Sequence, residues 1–150
     1  MIPPLALALV LVLVLSAPAE ARDELTTMID AAADRAGVPR RILRAVAWVE
    51  SRNSPGATSP LGAQGLFQLM PIAQRELGVS DPYDPAQSAA AAAELLLRHR
   101  VRFGSWPIAL AAYQWGPGNV LSGKPWPSNV RRYVDRVLER AGLPGVPEPR

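Results

Sequence analysis

Leu43, Val46, Ala47 and Glu50 stand at i, i+3, i+4 and i+7, so one helical face carries three apolar side chains and then a carboxyl. The stretch 39–51, PRRILRAVAWVES, is predicted as a helix that Pro39 opens at its first turn and Asn53-Ser54-Pro55-Gly56 stops. A carboxyl held against apolar surface resists ionisation, because desolvation penalises the charged form and raises its pKa. An acid still protonated near neutral pH can donate to a departing oxygen, as cleavage of a glycosidic bond requires. The bland alternative is a helix-end glutamate turned to solvent.

Three further clusters follow in order. A Gly-rich, uncharged loop, Ser59-Pro60-Leu61-Gly62-Ala63-Gln64-Gly65, runs into Leu66-Phe67-Gln68-Leu69-Met70-Pro71. Next comes Ala112-Tyr113-Gln114-Trp115-Gly116-Pro117-Gly118-Asn119, and last Arg131-Arg132-Tyr133-Val134. With Glu50-Ser51 ahead of them, these runs resemble in order and spacing the catalytic domain of the soluble lytic transglycosylases, bacterial enzymes that cut peptidoglycan strands. The resemblance spans roughly 42–137. The chain departs from the family pattern at Phe67 (usually Met), Gln114 (usually Asn), Trp115 (usually Ala, here a sugar platform or a narrowing of the groove) and Asn129-Val130 (often Glu-Thr).

The resemblance implies a mainly α, lysozyme-like domain with at most a very small β element. It also implies a mechanism. Hydrolysis of glycosides commonly employs two carboxylates, yet no Asp or Glu lies between Glu50 and Glu76. In the resembled family one glutamate first protonates the oxygen between N-acetylmuramic acid and N-acetylglucosamine, then deprotonates the muramyl C6 hydroxyl as a 1,6-anhydro ring closes. Carried over residue by residue, Glu50 is the catalytic group. Ser59 hydrogen-bonds near it or near the substrate acetamide, Gln68 and Gln114 hold N-acetyl or hydroxyl groups, and Met70 lines the cleft floor. Tyr113 and Tyr133 aim their hydroxyls at Glu50 or the transition state. Two other readings use the same residues: a goose-type muramidase hydrolysing the same bond, and a non-catalytic glycan-binding accessory of an envelope-spanning apparatus.

Targeting and composition bound the rest. An almost pure Leu/Ala/Val run from Leu5 to Leu15 precedes small residues and Ala19-Glu20-Ala21, an A-x-A cleavage pattern. Residues 1–21 are expected to be a secretory signal peptide, 22–142 the catalytic domain and 143–150 a Pro-rich flexible tail. The n-region lacks Lys and Arg, so an uncleaved anchor is the alternative, although the apolar run is short for a bilayer span. Location in the periplasm or envelope, with no stable membrane insertion after cleavage, follows. Cys is absent, which leaves neither a disulfide framework nor a lipid-attachment cysteine. No metal site or cofactor is expected, since the single histidine has no partners of the right kind. The net charge of +3 is spread without interleaved aromatics, a poor pattern for nucleic acid. Peptidoglycan strands are the expected partner.

The elements that must position these residues are helical throughout. Helices are expected over 24–36, 39–51, 71–77, from the Asp84-Pro85 cap to Phe103, over 106–114, and over 129–141 behind a Ser128 cap. Residues 120–127 are expected as a surface connection. Arg98, Arg100 and Arg102 are expected on a solvated face, with His99 exposed among them and Trp106 and Trp126 as packing residues.

Overall fold

The computed structural model describes residues 18–146, and the expected signal segment therefore lies largely outside the described residues. Seven helices are present among them: α1 (Ala19–Ala36), α2 (Arg40–Ser51), α3 (Pro71–Glu76), α4 (Pro85–Phe103), α5 (Trp106–Trp115), α6 (Pro117–Leu121) and α7 (Ser128–Arg140). No strand forms among these residues; the β content is two isolated bridges, Thr58 with Gln64 and Gln64 with Leu69. The domain is mainly α, as expected. No helix of the described residues is long and apolar enough to cross a membrane.

The helices pack as a closed ring, with α1 against α2, α2 against α7, α7 against α5, α5 against α4, and α4 back against α1. Amphipathic spacing dictates this arrangement. Ile42, Leu43, Val46 and Ala47 of α2 face Val130, Val134, Val137 and Leu138 of α7, all at most 2% exposed. Small residues let the other helices approach closely: Ala89, Ala91, Ala92 and Ala93 line α4, and Ala109, Ala111 and Ala112 line α5. The α5 helix carries no charge and is buried along its middle, as expected. Asp84 caps α4 by accepting from the Ala86 and Gln87 amides. The described part of the Pro-rich segment lies against the domain, with Leu143 and Val146 half-buried and the Val146 amide donating to Asp135.

Three expectations need correction. His99 is buried, its ring tilted over Phe103, because the α4 turn that places Leu96 in the core carries residue 99 inward as well. Ser128 does not cap α7. Pro127 occupies the cap position and no side chain bonds there. The connection expected over 120–127 starts inside α6, whose first-turn Pro117 has the φ of a helix and no amide to satisfy.

The long loop between α2 and α3 is held as firmly as a helix. Its turn at Gly65 has φ +80°, and a Cβ added there would lie 1.9 Å from the Pro82 carbonyl oxygen. Tyr83 ties the loop from outside, its hydroxyl 2.7 Å from the Thr58 hydroxyl and accepting from the Gln64 amide at 2.9 Å. From beneath, the Gln74 amide donates to the Gln64 side chain and the Leu69 carbonyl. Replacing Gly65 with Ala forces the backbone apart and should cost about 3 kcal/mol. A fall in the urea midpoint at unchanged m-value would record it; an unaltered midpoint would show that the loop yields freely.

Candidate active site

Glu50 sits in the last turn of α2, where the apolar stripe of that helix reaches the surface. Its carboxyl is half-buried and receives a hydrogen bond from the Tyr133 hydroxyl, 2.7 Å from Oε1. Burial pushes the carboxyl from 4.5 up to about 7, and the phenol hydrogen bond pulls the other way because it favours the anion. Glu50 is thus divided between acid and base near neutral pH, the state the stripe reasoning anticipated. Tyr133 is itself held neutral: burial, then the Glu50 charge, push its hydroxyl well above the usual phenol range. Toward the Glu50 carboxylate such a phenol is the donor.

Glu50 opens into a cavity of about 350 Å³ lined by Val49, Gln114, Asn129, Arg132, Tyr133 and Arg136. A second cavity of about 460 Å³ adjoins it and holds Gln68, Met70, Glu76, His99, Tyr113 and Gln114 among its walls. Both are of a size to take a sugar-sized ligand. Gln114 belongs to both, so a chain molecule passing from one to the other crosses its exposed amide. Met70, 42% exposed, lines the second cavity. Burial and then the charges of Arg102 and Arg98 hold the His99 imidazole below its usual pKa. No group of three or more His, Asp or Glu side chains gathers into a metal-binding cluster among the described residues.

Three expected site residues make hydrogen bonds to the backbone. The Ser59 hydroxyl makes no hydrogen bond to Glu50; it accepts from the Ala63 amide and closes a turn of the loop. The Gln68 amide nitrogen is consumed internally, donating to the carbonyls of Ala57 and Gly65, because its own backbone is left-handed with φ +51°. Tyr113 gives its hydroxyl to the Phe67 carbonyl at 2.8 Å, and burial followed by the Glu50 charge raises its pKa well above the phenol range. Trp115 is half-buried against the core and is not among the residues lining either cavity.

Sequence reasoning passed over Ser51. Its hydroxyl donates to the Leu66 carbonyl at 2.8 Å, while Tyr113 takes the next carbonyl along. Two adjacent backbone oxygens of the loop are therefore pinned, one from the Glu50 helix and one from α5. The Glu50-Ser51 pair was the available signal. Asn129, Arg132 and Arg136 were also missed as lining residues, although with Tyr133 they form an i, i+3, i+4, i+7 stripe on α7.

Comparison with known proteins agrees with this fold. Residues 27–131 match the family model described as the transglycosylase SLT domain. The transglycosylase of Enterobacteria phage PRD1 is 34% identical over 115 residues, covering 77% of this chain and 42% of that protein. The membrane-bound lytic murein transglycosylase F of Desulfosudis oleivorans is 34% identical over 110 residues, 69% of this chain and 24% of that protein. Among solved structures, an inactive Glu-to-Gln variant of the lytic transglycosylase Slt from Pseudomonas aeruginosa superposes with a TM-score of 0.68 at 26% identity. It covers 77% of this chain and 23% of that one, so the chain spans less than half the length of these relatives.

The raised pKa of Glu50 has two measurable consequences. Folding holds the Glu50 proton more tightly than the unfolded chain does, so stability falls as pH rises from 4.5 through about 7. Glu50→Gln should then match the parent near pH 4 and exceed it by about 2 kcal/mol at pH 8. Denaturant melts at both pH values test this; equal stabilities at pH 8 would show an unperturbed carboxyl. Tyr133→Phe removes the bond that favours the anion, so the Glu50 titration followed by carboxyl NMR should move above 7. A downward move would contradict the assigned donor.

Proposed function

The chain belongs to the transglycosylase SLT family, and on that premise we propose that it is a peptidoglycan lytic transglycosylase with Glu50 as acid and then base. The substrate bond joins N-acetylmuramic acid to N-acetylglucosamine. Protonated Glu50 gives its proton to the bridging oxygen as the bond to the muramyl C1 breaks, and the muramyl acetamide stabilises the cation that develops. The carboxylate left behind then takes the C6 hydroxyl proton while that oxygen closes on C1. The leaving sugar departs with one proton and Glu50 regains one, so acid and product balance without water.

The observation carrying this reading is a half-buried carboxyl with a pKa of about 7, one phenol donor, and no second acid on its cavity wall. Tyr133 assists each half-reaction in turn: its hydrogen bond stabilises the carboxylate after the first proton leaves and is weakest when the acid is restored. Gln114 and Met70 contact the sugars on either side of the bond, and Ser59 and Gln68 serve the site by shaping its loop. The name of the Desulfosudis relative and the inactivity of the Pseudomonas Glu-to-Gln variant support a glycan-cutting acid here. Action on the wall would put the protein in the envelope, in keeping with residues 1–21 as a secretory leader.

Glu76 lines the adjoining cavity and gives the hydrolytic alternative its one point of support. Product mass separates the two. Muropeptides released from sacculi should carry anhydro ends one water lighter than hydrolysed reducing ends; full-mass ends would favour the muramidase. Glu50→Gln should slow release about a thousandfold, and the parent rate should fall above pH 7 as the acid form is lost. If the variant clears sacculi as fast as the parent, Glu50 is not the acid. If both bind sacculi and neither degrades them, the accessory reading takes its place.

A further inference from the structure

Trp48 and Glu50 stand two positions apart on α2, about 200° around the helix axis, so the indole faces away from the acid. It forms a wall common to two hollows of its own, of about 510 Å³ and 610 Å³. The first of these shares no lining residue with either cavity of the cleft. The ring is stacked on both sides. The Arg140 guanidinium of α7 lies 3.7 Å from its centre and that of Arg52 3.9 Å, and two groups so close must occupy opposite faces. Arg140 accordingly lines the first hollow and Arg52 the second. Stacking fixes the plane of each guanidinium and leaves its N–H edge free to donate.

The backbone is strained where it makes this stack. Arg52 has φ +57° and Asn53 φ +60°, two consecutive left-handed positions that glycine would fill at least cost. The turn carries Arg52 back over the indole and sets Asn53 on the wall of both hollows. Charge in the first hollow is also unbalanced, for its walls hold Arg41, Arg44 and Arg140 and no acid. Arg44 is committed to Asp30, to which its Nε donates at 2.6 Å. Arg41 and Arg140 join no ion pair among the described residues. Three helices converge here, with Thr26 from α1, Arg41 from α2 and Arg140 from α7.

We propose that the first hollow is a second binding site, for a phosphate group held by the forks of Arg41 and Arg140 with Thr26 and Asn53 as neutral partners. The oxygens of a phosphate point in several directions, so one group accepts from guanidinium groups on two helices at once. A planar carboxylate is filled by a single fork. The volume exceeds that of a lone phosphate and leaves room for the group esterified to it. A lipid headgroup and a soluble phosphate ester share this chemistry. From either source the ligand sits across α2 from Glu50, and the cleft stays open while the site is filled. The site goes beyond the glycan-cutting reading and does not depend on it.

The test follows the Trp48 indole N–H resonance, identified by its loss in Trp48→Phe, as inorganic phosphate and then glycerol phosphate are added at constant pH and ionic strength. The shift should saturate in the parent. Arg41→Ala/Arg140→Ala should weaken binding about tenfold or more, the loss expected for charge-assisted hydrogen bonds. Arg41→Lys/Arg140→Lys should recover part of it, because an ammonium keeps the charge without the fork. Arg35→Ala/Arg75→Ala removes the same charge outside the hollow and should bind as the parent does; equal weakening in both alanine variants reduces the effect to net charge and overturns the proposal. Co-sedimentation with phosphatidylglycerol vesicles separates the sources. Vesicle binding that disappears in Arg41→Ala/Arg140→Ala assigns the phosphate to a lipid headgroup, and a saturating shift without vesicle binding assigns it to a soluble ester. No saturation with either soluble anion, together with vesicle binding that is absent or unchanged in that variant, overturns the site. None of these readouts requires glycan cleavage, so a protein that cuts no strand would sink the function reading and leave this result standing.

Discussion

Two opposed forces meet on the Glu50 carboxyl, and the rest of the domain is arranged to keep them opposed. Desolvation by the end of the α2 stripe favours the neutral acid; the Tyr133 hydroxyl favours the anion. Either alone would leave the group idle near pH 7, as a permanent anion in water or a proton never released in an apolar hole. Their balance depends on where α7 lies. Tyr133 reaches Glu50 because Val130, Val134, Val137 and Leu138 lock α7 into the core on both sides of it. An apolar contact surface thus sets a proton affinity.

The loop beside Glu50 obeys the same logic by other means. It has little apolar surface to anchor it beyond Leu66, Phe67 and Leu69, so its polar groups do the fixing. Ser51 and Tyr113 hold consecutive carbonyls, and Gln68 folds its amide back on Ala57 and Gly65. A left-handed glutamine persists only where its surroundings over-determine it. Here they do, through hydrogen bonds on both sides of the turn. Gln114, free of such duties, is left where the two cavities meet.

Much of this was legible in the residues themselves. The Leu43–Glu50 spacing disclosed a carboxyl on an apolar stripe, and prolines and glycines marked most helix boundaries, because those signals are local. Tyr133, picked out from its place in a motif, turns its hydroxyl to Glu50. Gln68 was assigned to the sugar, Ser59 to Glu50 or the acetamide and Tyr113 to Glu50 or the transition state, and each makes a hydrogen bond to the backbone. A motif records that a polar residue is required without saying which of its possible partners it serves. The burial of His99 escaped for a related reason, since three arginines around it suggested a wet face while only the ring of helices decides what α4 covers.

The closure of that ring has an implication for when the molecule becomes competent. Glu50 lies on the second helix and Tyr133 on the seventh, 83 residues later, and the α2–α7 seam is among the last that a chain emerging from its N-terminus can form. A nascent polypeptide therefore possesses the acid long before it possesses the phenol that lets the acid let go. The bond between them arrives together with the final docking event, and a half-made or frayed copy lacks it.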